Sequence, residues 1–520
     1  MKRFIIGAVC VFSLLLFGLT EPAESAADKP KRGGTLTIGT QKDLTVMNPL
    51  IRTASTDKYL RQLMFESLLA HDAKGNIHPF LAESWEISRD GRLYTFRLRK
   101  GIKFHNGQEM TAEDVQFAIN YTLNPKNGAY GLTSLALVDR ADAVDKYTLA
   151  ISLKKATPAF LAALSDIQTF SVIPKGSLKE GASKPSAFPP GTGPFRFVEW
   201  QPNQRLVLEP FDGYWGTKPL VDRLVLRPIP DNTVRFAALR SGDVDIIERA
   251  PYEWLKQVME GKIKGITNSA VARSGFRHIV LNMAESPFNN KKLRQAVAYA
   301  IDKMEILHAA YFGFGEPADQ VYPEGYVWYF EEVRAPRRDL EKAKALLKES
   351  GYKGEPIKLS MRQGDDQQTE GLTLQSQLKE IGMNIVLENL EYGAYTAQQR
   401  AGGFAIRFSG GGFELDPSAT YGSEFMCEPD PRKRAANASG YCDKEMDALL
   451  KQAEIEMNAE KRRELFRRVV SKINNDLPVI PIGYAPRFFV SRDYVKGFTT
   501  DSRAHFRNFG GGLTHTWLDR

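Results

Sequence analysis

The chain has 520 residues, of which 42% are hydrophobic and 25% are charged, so it carries enough apolar material for sizeable cores and too little charge for disorder. At roughly 150 residues per domain, this length predicts about three to four structural units. The net charge of +8, from 70 Lys and Arg against 62 Asp and Glu, is a modest surplus over so long a chain. It argues against a nucleic-acid-binding protein, whose basic residues are concentrated on one face.

The N-terminus has the three parts of a secretory signal peptide. The basic pair Lys2-Arg3 precedes an apolar run over 4–19, and Ser25-Ala26-Ala27 forms a small-residue cleavage site. We predict that residues 1–27 are removed and that the mature chain begins near Asp28. The apolar run is shorter than the ~20 residues that a membrane helix needs. The sequence therefore predicts an exported, soluble mature protein.

The cysteines fit an exported chain. Cys10 lies inside the apolar run rather than at a cleavage point after it, so we expect no lipid anchor. Cleavage leaves Cys427 and Cys442, and an even pair bound for an oxidising compartment predicts a disulfide. Closing a loop of this size would stabilise the fold by roughly 3 kcal/mol. The alternative is a pair of metal-binding thiolates, but two thiols with no His in the loop make a poor zinc site.

The first secondary-structure signals are a hairpin and a capped helix. Alternating segments at 85–88 and 94–98 flank a turn in which Asp90-Gly91 supplies the positive φ that hairpins prefer. Thr111 is a predicted N-cap for a helix that ends at Asn124-Pro125. Further strand-like or helical patterns cover 36–38, 59–69, 195–199, 206–208 and 224–229.

The residue composition and pattern of the chain change at two places. A Pro-, Gly- and Ser-rich stretch over 183–194 predicts a linker, and from Asn290 onward long amphipathic helices dominate. These helices are predicted over 290–304, 339–349, 369–381, 443–455 and 460–474. Strand-like segments at 357–361 and 385–390 bracket one of them, as in a βαβ unit. We therefore predict an α/β lobe over about 280–480.

No catalytic or metal-binding pattern stands out. The seven histidines show neither paired helical spacing nor clustering with cysteine, and there is no G-x-S-x-G elbow, phosphate loop or dinucleotide fingerprint. His105 could be a ligand, although a polar turn residue beside a buried Phe is the simpler interpretation. We predict no metal, no cofactor and no enzymatic activity, with a secreted hydrolase as an alternative.

A series of short motifs runs in order through the mature chain. They are His78–Trp85, Phe96–Gly107, Thr111–Val115, Gly191–Phe195, Tyr214–Gly216, Ser241–Ile246, Leu281-Asn282, Leu293–Asp302, Gln377–Gly382 and Tyr441–Leu450. Together they resemble the oligopeptide, dipeptide and nickel class of periplasmic solute-binding proteins of ABC transporters. The resemblance covers essentially the whole mature chain.

The resemblance implies an α/β fold of two lobes joined by hinge strands, with a subdomain inserted in lobe 1. Lobe 1 would comprise 28–70, 195–278 and 485–520, the insertion 71–194, and lobe 2 279–484. The lobes would close on a ligand and deliver it to a permease in the membrane, without chemistry on the ligand. We expect a monomer.

The resemblance also implies where the ligand binds. Dipeptide-binding relatives carry an acid that pairs with the α-ammonium of the ligand a few positions before an Asp-Pro pair. Here Phe413 stands near that position, and Glu414 or Asp416 could substitute. Relatives place a carboxylate-binding Arg just after the strand that ends here at Arg362, and Arg407 is a second candidate cation.

Each of these residues has a structural alternative. Arg362 could be a solvated strand end, and Arg407 could pair within its lobe. Tyr392, Tyr395 and Phe413 could stack on a ligand or belong to the core, and glycines 410–412 could admit a ligand backbone or form a loop. A short peptide is the first expectation for the solute. The alternatives are an opine, a sugar conjugate or a metal chelate, and a sensory or chaperone-like binder is the alternative of another class.

Overall fold

A computed structural model describes residues 29–51, 61–181, 187–363, 366–428, 430, 436–500 and 511–520, except for the side chains of 272–274. The predicted signal peptide lies outside the described residues. Within these ranges, no helix combines the length and the hydrophobicity that a bilayer crossing requires.

The described part of the chain alternates strands with helices. The strands are β1 (Thr35–Thr40), β2 (Leu69–His71), β3 (Ile77–Pro79), β4 (Ala82–Ile87), β5 (Leu93–Leu98), β6 (Val138–Asp145), β7 (Thr148–Leu153), β8 (Phe195–Gln201), β9 (Arg205–Pro210), β10 (Arg223–Pro228), β11 (Ile246–Glu248), β12 (Ile266–Leu281), β13 (Glu316–Pro317), β14 (Ile357–Arg362), β15 (Ile385–Leu390), β16 (Ile406–Gly411), β17 (Val479–Arg492), β18 (Val495–Lys496) and β19 (Trp517–Leu518). The α-helices are α1 (Ala112–Leu123), α2 (Ala159–Ser165), α3 (Asn232–Ser241), α4 (Tyr252–Met259), α5 (Lys291–Ala300), α6 (Lys303–Tyr311), α7 (Leu340–Ser350), α8 (Gln367–Glu380), α9 (Tyr392–Ala401), α10 (Pro417–Phe425), α11 (Lys444–Ile455) and α12 (Ala459–Asp476). Short 3₁₀ helices cover Pro125–Asn127, Tyr130–Leu132 and Gly512–His515.

One large mixed sheet runs through the molecule. Its strand order is β15-β14-β16-β12-β17-β11-β1-β10-β9-β8, with β13 paired to β17. The long antiparallel strands β12 and β17 occupy its centre and connect the two ends. At one end, β14 and β15 are parallel with α8 between them, which confirms the predicted βαβ unit. A separate four-stranded sheet has the order β4-β5-β7-β6.

The buried apolar residues divide the molecule into two lobes. One core joins the β1 and β10 side of the large sheet to the four-stranded sheet, and it includes Leu36, Phe96, Leu149 and Leu224. A smaller core around Phe236 lies on the same side of β12 and β17. Two other cores surround the α5–α8 and α10–α12 regions. We call the first group the first lobe, with the four-stranded sheet and its connections as its insertion, and the second group the second lobe. The residue boundaries of the lobes remain a prediction.

The structure contains the predicted elements whose sequence determinants lie close together in the chain. β4 and β5 form the predicted hairpin, and Gly91 has φ of 68° in its turn. Thr111 and Asp114 form a capping box at the start of α1. The single helix predicted over 290–304 is wrong, because the carboxylate of Asp302 accepts a hydrogen bond from the Glu305 amide and starts α6 as a new helix.

Cys427 and Cys442 are bonded to each other in this structure, with their Cα atoms 4.3 Å apart. Asn437, buried within the loop that they close, donates from Nδ2 to the carbonyls of Met426 and Tyr441 at 3.0 and 2.8 Å. The two ends of this loop are therefore held together by hydrogen bonds as well as by the sulfur bridge.

A candidate ligand site on the second lobe

Four of the predicted site residues meet on one face of the second-lobe sheet. Ser360 of β14 and Arg407 of β16 are register partners in a parallel pair, so their side chains point to the same face. Arg362 lies two residues after Ser360 and shares that face. The two arginines therefore project from neighbouring strands toward α9.

Helix α9 supplies an aromatic partner for each arginine. Tyr392 and Tyr395, three positions apart, lie on the same side of the helix. The guanidinium carbon of Arg362 is 5.8 Å from the ring centre of Tyr392, and that of Arg407 is 3.9 Å from the ring centre of Tyr395. Tyr392 is exposed, whereas Tyr395 is buried and its hydroxyl donates to the Phe408 carbonyl. The two pairs form a stacked cationic face.

Arg407 is the unusual member of this group. It is only 3% exposed, yet its Nε and Nη1 have no hydrogen-bond partner. Burial lowers the pKa of Arg407 and Tyr395 opposes that effect, but a guanidinium remains protonated in proteins. By contrast, the buried Arg235 donates to four backbone carbonyls and to Asn232. Arg407 thus presents a buried positive charge that no carboxylate of the described residues balances.

The edge of β16 beyond Arg407 is open. β14 pairs with β16 only at Ile406 and Arg407, while β12 pairs along the whole strand to Gly411. Gly410 and Gly411 are exposed. A Cβ on Gly410 would lie 2.9 Å from the Phe276 carbonyl, which explains a glycine there, whereas a Cβ on Gly411 would meet nothing within 4 Å. The end of β16 at Gly410 and Gly411, which β14 does not pair, therefore adjoins the two arginines.

The structure gives two of the predicted residues other roles. Phe413 packs with Tyr322 and Tyr326, at ring-centre distances of 5.1 and 5.0 Å, and belongs to a core of the second lobe. Asp416 accepts two hydrogen bonds from Arg462, at 2.6 and 2.7 Å, and caps α10 through the Ser418 amide. The carboxylate of Asp416 is therefore paired with a cation inside the lobe, which does not favour it as an ammonium anchor, and that assignment stays a prediction.

Glu414 is the remaining candidate acid. Its backbone amide donates to Thr420 Oγ1 at 3.2 Å, and its carbonyl accepts from the Tyr322 hydroxyl at 2.9 Å. These bonds hold the main chain while the half-buried side chain carries no ion pair with a described residue. Of the three residues near the Asp-Pro pair, Glu414 is the one whose carboxylate stays available.

A charged cluster that was not predicted from the sequence lies on the opposite face of the sheet. Arg277 donates from Nε to Glu370 Oε1 at 2.9 Å, and the Tyr311 hydroxyl donates to the same oxygen at 2.7 Å. Partial burial raises the pKa of Asp366, as does the charge of Glu370. An Arg within the apolar strand 276–281 was the available signal, because a charge on a buried strand needs a partner.

His105 lies far from this face. Its Nε2 bonds the Gly193 carbonyl at 3.0 Å, and its Nδ1 accepts from the Gly191 amide at 3.3 Å. It therefore joins two loops of the first lobe, in line with the structural interpretation. Nor does the part of the chain that the structure describes gather three His, Cys, Asp or Glu side chains as a metal site.

Comparison with known proteins identifies the family. The profile of the bacterial extracellular solute-binding proteins, family 5 (middle part), matches residues 76–430, more than half of the chain. The chain belongs to this family.

Individual relatives agree with the assignment of this family 5 protein. It is 30% identical over 462 residues to the dipeptide-binding protein of Escherichia coli K12, covering 83% of this chain and 85% of that one. It is 31% identical over 459 residues to heme-binding protein A of Haemophilus influenzae, covering 81% and 82%. The ABC transporter substrate-binding protein CtaP of Listeria monocytogenes is similar in structure, with a TM-score of 0.85 and 26% identity over 94% of this chain and all of that one.

These similarities confirm the expectations of fold and function class. The protein has the two-domain fold of periplasmic binding proteins, and it is a substrate-binding protein of an ABC transporter rather than an enzyme. Its ligand is a peptide or another small molecule, and it acts outside the cytoplasm with a membrane permease.

Proposed function

We propose that this family 5 binding protein captures short peptides between its lobes and passes them to the permease by opening and closing about β12 and β17. Arg407 and Arg362 would hold the carboxylate of the peptide. The observation that carries the proposal is the buried, unbalanced charge of Arg407. Such a charge costs free energy unless an anion joins it, so its presence is explained by a ligand that brings one.

The open edge of β16 supports a peptide in particular. An extended peptide can add to an unpaired strand edge through main-chain hydrogen bonds. Gly411 is exposed and a Cβ there would meet nothing within 4 Å, so a ligand backbone has room beside it. The edge and the arginines together match an extended chain that ends in a carboxylate. Tyr392 and Tyr395 would flank that end.

A second candidate ligand is a small carboxylate without an α-ammonium, such as an opine or a sugar conjugate. This candidate is favoured because Phe413 lies in the core and Asp416 is paired with Arg462. Glu414 is then the acid of the expected region whose carboxylate is available. The two arginines on one face of the sheet favour a ligand that carries an anionic group. A metal chelate is a further alternative.

The deciding experiment is native mass spectrometry of the protein purified from the periplasm, followed by identification of the molecules that acid releases. We expect a series of short peptides, and the variant Arg407→Met should carry far less of them. A single non-peptide carboxylate would replace the peptide proposal with the second candidate. Peptides retained equally by Arg407→Met would contradict the role of that residue.

We also propose that the chain is exported, cleaved after Ala27, monomeric and oxidised between Cys427 and Cys442. The support is the leader pattern in the sequence and the approach of the two cysteines in the structure. An intact mass that begins at Asp28 and lacks two hydrogens relative to the reduced chain would agree. A thiol that alkylates without prior reduction would contradict the bridge.

A further inference from the structure

Contacts between the insertion and the second lobe occur outside β12 and β17. Lys155, just after β7, places its Nζ 2.9 Å from Glu454 Oε1 of α11. Two positions beyond α11, Met457 covers the β4–β5 turn. A Cβ on Gly91 of that turn would lie 3.2 Å from Met457 Sδ, so a glycine allows this close packing.

A second turn of the insertion adds a main-chain contact. The amide of Val327, in the second lobe, donates to the Lys74 carbonyl of the β2–β3 turn at 2.9 Å. The ring of Tyr326 covers the neighbouring Gly75 so closely that no Cβ would fit. Ala162 of α2 packs against the second-lobe core beside these turns.

These contacts join two separately packed bodies. The insertion shares one continuous core with the first lobe, whereas Tyr326 belongs to a core of the second lobe. Rotation of the lobes about β12 and β17 would leave both cores intact but separate Lys155 from Glu454 and Met457 from Gly91. The contacts can therefore form only when the lobes are together.

We propose that the insertion is a latch, formed by the contacts of Lys74, Gly75, Gly91 and Lys155 with Val327, Tyr326, Met457 and Glu454, which stabilises the closed state independently of ligand. The proposal goes beyond peptide capture, because it assigns part of the closure equilibrium to residues outside the candidate ligand site. Closure would then need less stabilisation from the solute itself.

The latch is expected to be weak. Lys155 and Glu454 are 46% and 35% exposed, and an exposed ion pair shifts an equilibrium by only about two- to fivefold. Met457 is also partly exposed. A weak latch suits a protein that must reopen at its permease, since a strong one would keep the lobes closed.

The test measures lobe separation in the ligand-free full mature chain, with spin labels at the exposed positions Val144 and Leu372 and with small-angle scattering. Glu454→Lys and Lys155→Glu should each raise the ratio of open to closed molecules about two- to fivefold, and the double charge swap should restore it. Met457→Ala should also raise the ratio of open to closed molecules relative to the unsubstituted chain. Glu180→Lys is the matched control, because it breaks the Lys126–Glu180 pair, also 2.9 Å long, within the insertion.

The proposal is overturned if the single charge reversals give the same distance distribution as Glu180→Lys, or if the double swap leaves the lobes as open as the single variants. Thermal unfolding of each variant identifies any loss of fold. Because this test uses ligand-free protein, a negative result for the latch would not contradict peptide capture. A negative result for peptide capture would likewise not contradict the latch.

Discussion

At the scale of single residues, substitution of Arg407 should weaken ligand binding without lowering the stability of the fold. Arg407→Met removes a buried charge with unmet donors, so the free energy of unfolding should stay constant or rise. A hydrogen bond to a charged group contributes about 1.5–3 kcal/mol, so the Kd for a peptide should rise about ten- to hundredfold. Calorimetric titration with a peptide recovered from the periplasmic protein measures the Kd, and urea unfolding measures stability. Arg235→Met is the control, because its loss leaves buried carbonyls without donors and should lower stability. An unchanged Kd in Arg407→Met would contradict the assignment.

Substitution of Asp416 should instead lower stability and leave ligand binding unchanged. Its carboxylate and Arg462 form a buried bidentate pair within the second lobe. Asp416→Asn leaves the guanidinium without a counter-charge, and losing one partner of a buried pair costs about 3–5 kcal/mol of unfolding free energy. The peptide Kd of the folded fraction should be unchanged. Urea unfolding and the same titration check both expectations, and a large rise in Kd with normal stability would support Asp416 as a ligand residue.

At the scale of elements, His105 ties the turn at 104–107 to the loop before β8, and burial lowers its pKa to about 4. His105 binds a proton near pH 6.5 in the unfolded chain, but only near pH 4 in the folded chain. The stability of this link is therefore complete above pH 6.5, falls as the pH drops from 6.5 to 4, and is constant below. We expect a loss of about 1–3 kcal/mol over that window.

The matched variants isolate this effect. His105→Gln should flatten the decline of unfolding free energy between pH 6.5 and 4, at a cost of about 1–2 kcal/mol at pH 7 from lost hydrogen bonds. His308→Gln, at an exposed position of α6, should keep the decline. Burial lowers the pKa of His278 to about 3, which leaves a residual slope in both variants. A full wild-type slope in His105→Gln would show that the link does not titrate.

Element prediction succeeded where the determinants are close in sequence. The Asp90-Gly91 turn and the Thr111 capping box depend on residues within four positions, and the structure has both. The helix predicted over 290–304 failed because the apolar spacing continues across Asp302, while the cap that divides it depends on a single side-chain hydrogen bond.

At the scale of the whole molecule, ligand binding and lobe closure should be coupled. A peptide at a hundredfold excess over its Kd should add about 2.7 kcal/mol to the free energy of unfolding. The radius of gyration should fall as open molecules close. Calorimetry and small-angle scattering on the same sample measure the two effects, and Arg407→Met at the same peptide concentration should show less of both. Stabilisation without any compaction would contradict closure about β12 and β17.

The sequence by itself determined the family and the α/β class, and it proposed Arg362, Arg407, Tyr392 and Tyr395 as site residues, which the structure brings together on one face. Ordered motifs and strand ends are local features, and these residues follow from them. Only the tertiary structure decided which charges are already paired. Asp416 meets Arg462 across 46 positions, and Arg277 meets Glu370 across 93. Such partners are chosen by strand register and helix packing, and a charge looks the same in sequence whether a lobe neutralises it or leaves it for a ligand.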